Sequence, residues 1–507
     1  MKRLRVWSAV MVAAFVASSS FAQTNEDLQR QLNELKSSMQ AKVQHLEAEN
    51  AALKSSQGAP QDAGLETEIN RLSERMAAGT NLRSCASQIK LGGEFRYRVT
   101  YVNLDEDDDG QTFPPPGDGE DDENDVDGWY GDARIRLNFQ YDFGCDVTAF
   151  AELQSHFAFG EDEDGSIDEF DGNDPEGNVG MYQAWLEFRN IFCRPELSAR
   201  IGRQEVVLGN QFQFGNADWY NGVVHDGLRV DWRSACWSLT LLAVKLDTTD
   251  GDENQLWSYF DDHDNDELFS AYFTLKSIKN VAIDAYWIYI NGHGDLAHNS
   301  GANLGSGFLY PFSPSAYYHT FGARLGGNLN LMCGLDWNVE GAIQTGENNT
   351  VDTDGATVEA ELGLTFSKSS RFRIFARGLW AEGPDDDSTG YLINFPNRHS
   401  NTGFRARYGI ADVIPMTNVV TLQLGAHFDP ACNWTIGATG LWAESDQDDP
   451  FTGDPLDYGT ELDIWAEYRQ SAQVTLGAGV AFVWPDDDTG FGDNTLFLGY
   501  VQARVIF

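Results

Sequence analysis

The chain has 507 residues and a formal net charge of -44, from 34 Lys and Arg against 78 Asp and Glu. This balance excludes a basic nucleic-acid-binding surface, because phosphate contacts require clustered positive charge. Fifty glycines, 12% aromatic residues and a mean hydropathy of -0.39 are typical of strands and turns, and they argue against a bundle of membrane-spanning helices.

The N-terminus predicts a secretory signal peptide over residues 1–22. Residues 1–5 are basic, residues 6–16 are apolar, and Ser20-Phe21-Ala22 forms a small-x-small cleavage site before Gln23. The apolar run is shorter than the roughly 20 residues that a spanning helix requires. Membrane residence of the mature chain must therefore use strands.

Residues 23–80 predict a helical coiled coil on the periplasmic side. Leu28, Leu32, Leu35, Met39 and Leu46 follow alternating spacings of four and three residues, with Lys42 at the position between the last two. Polar residues at some core positions make the coiled coil weak. It could form a homotrimer, contact the cell wall or serve as a monomeric spacer, and these alternatives stay open.

Residues 88–507 predict one transmembrane β-barrel. Amphipathic stretches of about 10 to 14 residues are joined alternately by very short connections and by long acidic ones, such as residues 103–128, 160–178 and 382–415. Outer-membrane barrels have this asymmetry, because strands can cross lipid only when closure pairs every backbone group. The stretches number eighteen. The predicted fold is an all-β, 18-stranded antiparallel transmembrane barrel with an N-terminal coiled-coil extension.

Side-chain alternation predicts a lipid-facing surface and a polar interior. In FRYRVTY, Phe95 and Tyr97 share one face while Arg96 and Arg98 share the other, and the same pattern recurs around Arg134. The predicted inward arginines are Arg96, Arg98, Arg134, Arg136, Arg189, Arg200, Arg229, Arg324, Arg373, Arg377 and Arg504. Because Glu94 and several other acids also face inward, these arginines could bind a passing anion or brace the wall.

Five of the six cysteines lie in or beside the short connections, where an oxidising compartment favours disulfides. Neighbouring turns favour Cys193 with Cys236 first, then Cys85 with Cys145, which leaves Cys333 with Cys432. The acidic external loops predict at most weak Ca²⁺ or Mg²⁺ binding, since the Asp105 to Gly110 pattern has Pro116 where a calcium loop needs Glu. No arrangement of nucleophile and base stands out, so the sequence predicts no enzyme.

One region carries a more specific pattern: IGRQEVVLG at residues 201–209, followed by VHDGLRVDW at residues 224–232. It resembles the alginate export family of outer-membrane barrels in a set of positions: Gly202, Arg203, Gln204, Asp226, Leu228 and Arg229. The resemblance implies an eighteen-stranded barrel and passive export of an anionic polysaccharide, or passage of other anionic solutes, through an arginine-lined lumen.

The C-terminal residue, Phe507, resembles the signal that the barrel-assembly machinery recognises, so that machinery is an expected partner together with outer-membrane lipid. Two features depart from the family pattern: the strongly acidic external loops and the coiled coil. They leave a general diffusion porin, or a tether from the outer membrane to the cell wall, as alternative functions.

Overall fold

A computed structural model describes residues 88–104, 127–159, 179–216, 222–246, 267–292, 316–330, 334–348, 351–366, 371–385, 388–398, 407–447, 458–485 and 495–507. The predicted signal peptide, the predicted coiled coil and the most acidic loops lie outside these residues. Within the described ranges, no helix is both long enough and apolar enough to cross a membrane.

The described residues form nineteen strands and one short 3₁₀ turn, Ile191–Cys193. The strands are β1 (Gln88–Leu104), β2 (Asp127–Phe143), β3 (Val147–Phe159), β4 (Gly180–Arg189), β5 (Leu197–Gln204), β6 (His225–Arg233), β7 (Trp237–Lys245), β8 (Glu267–Leu275), β9 (Val281–Gly292), β10 (Ala316–Asn330), β11 (Gly334–Asn348), β12 (Val351–Asp352), β13 (Gly355–Thr365), β14 (Arg373–Ala381), β15 (Val419–Ala431), β16 (Trp434–Glu444), β17 (Gly459–Arg469), β18 (Val474–Trp484) and β19 (Leu496–Ile506).

The strands close into a barrel. Every neighbouring pair is antiparallel, and β1 pairs with both β2 and β19. Among the wall strands, the two-residue β12 pairs with the end of β11, which pairs directly with β13, so eighteen strands form the wall, as the sequence predicts. Closure leaves no unpaired edge, which is the condition for strands to cross lipid. Phe507 completes the seam, because its N–H donates to Gly93 O at 3.0 Å and its own O accepts from Gly93 N at 2.9 Å.

The wall has an apolar outer face and a polar inner face. On β1, Phe95 is 40% exposed while its neighbour Arg96 is 2% exposed, and on β2 Ile135 and Arg134 show the same contrast. Successive strand side chains point to opposite faces, so the exposed set faces lipid and the buried set faces the interior. The predicted parity of these strands is confirmed.

Two of the longer connections fold into the barrel. We call residues 205–216, 388–398 and 407–418 the inner loop assembly. Phe214 forms a parallel bridge with Phe395, and Phe395 N donates to Gln213 O at 3.0 Å. Its apolar side chains pack against inward-facing wall residues in one buried cluster that includes Tyr318 and Leu379. The prediction that residues 382–415 form an external loop is therefore wrong for the described part of that segment.

Candidate functional site: the barrel interior

Three arginines lie side by side across the interior of β2, β1 and β19. Arg96 is paired in register with Arg134 on one side and with Arg504 on the other. His156 on β3 stands opposite Arg134 and continues the line. We call Arg134, Arg96 and Arg504 the arginine row. Like charges directly opposite one another on neighbouring strands are destabilising, so cross-strand pairing alone does not favour this arrangement.

Two carboxylates hold the row in place. Glu94 lies one inward position from Arg96, and its carboxylate accepts hydrogen bonds from Arg134 at 2.6 Å and from Arg504 at 2.6 Å. Asp132 lies 3.8 Å from Arg96 and 3.7 Å from His156. The row thus combines three permanent cations with two shared acids.

Arg98 and Arg136 flank the row. Arg98 donates to Gln502 at 2.9 Å, and Arg136 donates to Gln154 at 2.7 Å and lies 3.9 Å from the centre of the Tyr182 ring. Arg96, Arg98, Arg134 and Arg136 are at most 6% exposed. These four arginines are therefore almost completely covered in this conformation, whereas the Arg504 side chain is 20% exposed.

Glu359 on β13 anchors the inner loop assembly to the opposite wall. Arg407 donates to both of its carboxylate oxygens at 2.6 Å, Asn210 donates at 3.0 Å, and Tyr408 donates through its hydroxyl. Burial alone lowers the pKa of the Arg407 guanidinium, but the neighbouring carboxylate outweighs this effect and the pKa lies above its usual range. One wall residue thus binds both connections.

Other wall side chains bind the backbone of the assembly. Gln344 accepts from Leu392 N at 2.7 Å and donates to Leu392 O at 2.8 Å, as a neighbouring strand would. Glu461 accepts from Ala411 N at 2.9 Å. The acids that anchor the assembly thus lie on β13 and β17, whereas the arginine row spans β19 to β2.

All eleven arginines predicted to face inward do face the barrel interior, but many of them are ion-paired. Arg324 binds Asp284 at 2.6 Å, Arg377 binds Glu361 at 2.8 Å, and Arg373 binds Glu361 at 2.6 Å and also Asp336. Arg189 donates to Thr148 at 2.8 Å near the short-turn end. Arg200 and Arg229 stand opposite each other. The arginine row is ion-paired as well, and it differs from these arginines in that three guanidiniums lie abreast on neighbouring strands.

The family-motif residues divide between the two faces. Arg203 and Asp226 form an ion pair with nitrogen–oxygen distances of 2.6 to 3.1 Å, on the same outer face as exposed Leu228. Gln204 is fully buried and donates to the backbone oxygens of Gly202 and Gly227 at 3.2 Å. Of the motif side chains, only Arg229 places its charge inside the barrel.

The predicted pairing of Cys193 with Cys236 is wrong, because both are free, exposed thiols. The β4–β5 and β6–β7 turns are two strand spacings apart, about 9 to 10 Å, which exceeds the ~7 Å limit between bridged Cα atoms. Cys432 is also free, so its pairing with Cys333 is wrong as well. Cys145 is disulfide-bonded. Its predicted partner, Cys85, lies outside the described residues.

Among the described residues, no group of three or more His, Cys, Asp or Glu is arranged to hold a metal ion. The acidic segments for which weak Ca²⁺ or Mg²⁺ binding is predicted, residues 105–126 and 160–178, lie outside those residues. That prediction stays a prediction.

Comparisons with known proteins agree with the barrel. Solved structures with the same fold include Pseudomonas aeruginosa OpdL (TM-score 0.52, 12% identity, 83% of this chain and 99% of that chain) and OpdQ (0.51, 11%, 83% and 98%). Acinetobacter baumannii OccAB4 is similar (0.50, 11%, 84% and 99%). No curated protein matches. A family model described as alginate export matches residues 87–483, and this chain therefore belongs to the alginate export family of outer-membrane β-barrels.

Proposed function

We propose that the barrel is a passive outer-membrane channel for an anionic polysaccharide, and that the arginine row is its polyanion contact. The carrying observation is the placement of Arg134, Arg96 and Arg504 abreast in one register. The description of the family supports the substrate class, since alginate is a polymer of uronate sugars.

The chemistry of guanidinium suits this task. A planar fork of N–H groups binds carboxylate or sulfate in a defined orientation, and it stays charged at any physiological pH. Neighbouring guanidiniums let a polyanion exchange one contact for the next, while sharing with Glu94 and Asp132 keeps each contact weak enough for exit. Passage therefore depends on competition between fixed and passing acids.

Transit also requires the interior to open. The flanking and central arginines are covered in this conformation, and Gly222, in the β5–β6 connection, lies so close to Arg136 that an added Cβ would be 2.9 Å from the guanidinium. Arg504 is 20% exposed, so a sugar chain reaches the whole row only when the groups that cover Arg96 and Arg134 move. Channel opening is thus part of the proposed function.

Planar-bilayer recording tests the proposal. We expect anion selectivity from reversal potentials and current block by oligouronates, because the row attracts carboxylates. The double variant R96Q/R504Q should raise the half-blocking concentration at least about tenfold, the scale of one charge-assisted hydrogen bond. The control R469Q removes a rim charge that is 64% exposed.

Cation selectivity, or equal permeation of neutral and anionic sugars, would refute the polysaccharide proposal. Equal permeation would identify a general diffusion porin instead.

A further inference from the structure

A second cationic site lies apart from the arginine row, near the short-turn end of β3 to β6. Phe150, Trp185, Arg200 and Arg229 all face inward here, and each lies within four residues of the end of its strand next to a short turn. Short turns mark the periplasmic side of outer-membrane barrels. The site is therefore at the periplasmic mouth.

The first feature is a three-layer stack. The Phe150 and Trp185 rings are nearly parallel, with a tilt of 16° and centroids 4.9 Å apart. The guanidinium carbon of Arg200 lies 3.9 Å from the centre of the Trp185 ring, and the indole N–H donates to Gln183 at 3.3 Å. Stacking on an indole holds the guanidinium plane in one orientation. Arg200 is thus preorganised for planar recognition.

The second feature is a like-charge pair. Arg200 is directly opposite Arg229, an arrangement that costs stability unless something anionic joins it. Asp231 accepts from Arg229 at 2.9 and 3.2 Å, whereas Glu187 accepts from Arg200 only at a long 3.4 Å. In the described part of the chain, Arg200 Nε has no hydrogen-bond partner. That atom is covered, while the Arg200 side chain as a whole is 24% exposed, so an anion approaches it from the open part of the side chain.

The third feature is a pair of glycines beside the two arginines. In the next inward row, Gly202 stands opposite Gly227, between Trp185 and Val244. Neither glycine has a side chain, so bare backbone separates the indole from Val244 in this row. A Cβ at Gly202 would meet Ala184 O at 2.2 Å, so a larger residue cannot replace it without moving the wall.

We infer that this cluster is an entry site for one anionic sugar residue of a chain arriving from the periplasm. Arg200 and Arg229 bind its carboxylate or sulfate, and its ring packs beside Trp185 over the glycine backbone. The inference rests on the proposed function, which it extends by giving the channel a first binding step separate from the arginine row. It predicts that current block depends on the side from which the sugar is added, which the arginine row alone does not require.

Oriented single-channel recording tests it, with a hexauronate added to one side at a time. R200Q should raise the half-blocking concentration about tenfold for periplasmic addition, and much less for external addition. R200K, which keeps the charge but loses the planar fork, should fall between wild type and R200Q. R233Q removes a 60% exposed charge from the same mouth and should change the value less than twofold.

Each variant should keep the electrophoretic mobility of the folded barrel, which shows that the substitution has not unfolded it. If hexauronate blocks the wild type but R200Q behaves as R233Q does, the entry site is wrong while the channel proposal stands. If hexauronate blocks the wild type from neither side, the proposed function itself fails. The entry site would also be overturned if R200Q raised the half-blocking concentration of a neutral hexasaccharide as much as that of hexauronate.

Discussion

Glu94 is the residue on which the arginine row depends most. It accepts from two of the three arginines, across two different strand pairings. Alternation alone predicts that Glu94, Arg96 and Arg134 face inward, and this prediction is confirmed. Which arginines share an acid could not be predicted, because it depends on the relative register of β1, β2 and β19, and register follows from turns and pairing.

Removing the Glu94 carboxylate should destabilise the barrel. E94Q leaves buried guanidiniums without their shared acid, and breaking a buried ion pair from one side costs about 3 to 5 kcal/mol. We expect a lower urea midpoint for unfolding in detergent, together with stronger anion selectivity. Glu187, which is 3.4 Å from a more exposed arginine, supplies the control E187Q. Equal midpoints for the two variants would contradict the role assigned to Glu94.

At the scale of elements, the main difference from the sequence prediction is the inner loop assembly. Residues 382–415 follow a strand and contain acids, so they match the pattern of an external loop. The sequence feature that indicates inward folding instead is the apolar residues Tyr391 and Phe395, and Phe214 in the other connection, all of which are buried. Composition cannot distinguish an external loop from one that folds inward, because the bonds to Gln344 and Glu359 join residues far apart in sequence.

The Glu359 anchor predicts a gain in conductance when it is lost. E359Q leaves Arg407 buried without its carboxylate and weakens the bonds to Asn210 and Tyr408, so the assembly should detach from β13. We expect single-channel conductance to increase at least about twofold, with more frequent transitions between conductance levels. The reason is that a few kcal/mol of attachment between the assembly and β13 sets the fraction of channels that are open.

The matched control is E467Q, on an inward β17 carboxylate whose ion pair is with Arg469, 3.7 Å away at the rim. It should leave conductance unchanged. An E359Q channel with wild-type conductance would show that the assembly does not restrict the pore.

At the scale of the whole molecule, strand number was predictable because alternating short and long connections count the strands directly. The partner proposed for Cys193 was wrong, because spacing along the chain does not measure distance around the wall. Two strands separate the Cys193 turn from the Cys236 turn, whereas β1 and β2 are direct neighbours. Gln88 is opposite Asp142, so three more residues of the same antiparallel register would bring position 85 opposite position 145.

This register predicts that Cys145 bridges to Cys85 and fastens the start of β1 to the end of β2, next to the seam that Phe507 closes. Peptide mapping without reductant should find that bridge, while Cys193, Cys236 and Cys432 react with a thiol reagent in the folded protein. Cross-linking a loop of about 60 residues stabilises by roughly 4 kcal/mol through the unfolded state, so C85S should lower the unfolding midpoint. C236S, which removes a free thiol, should not. A Cys145 peptide linked to Cys333 would instead require contact between distant turns, and it would disprove the register argument.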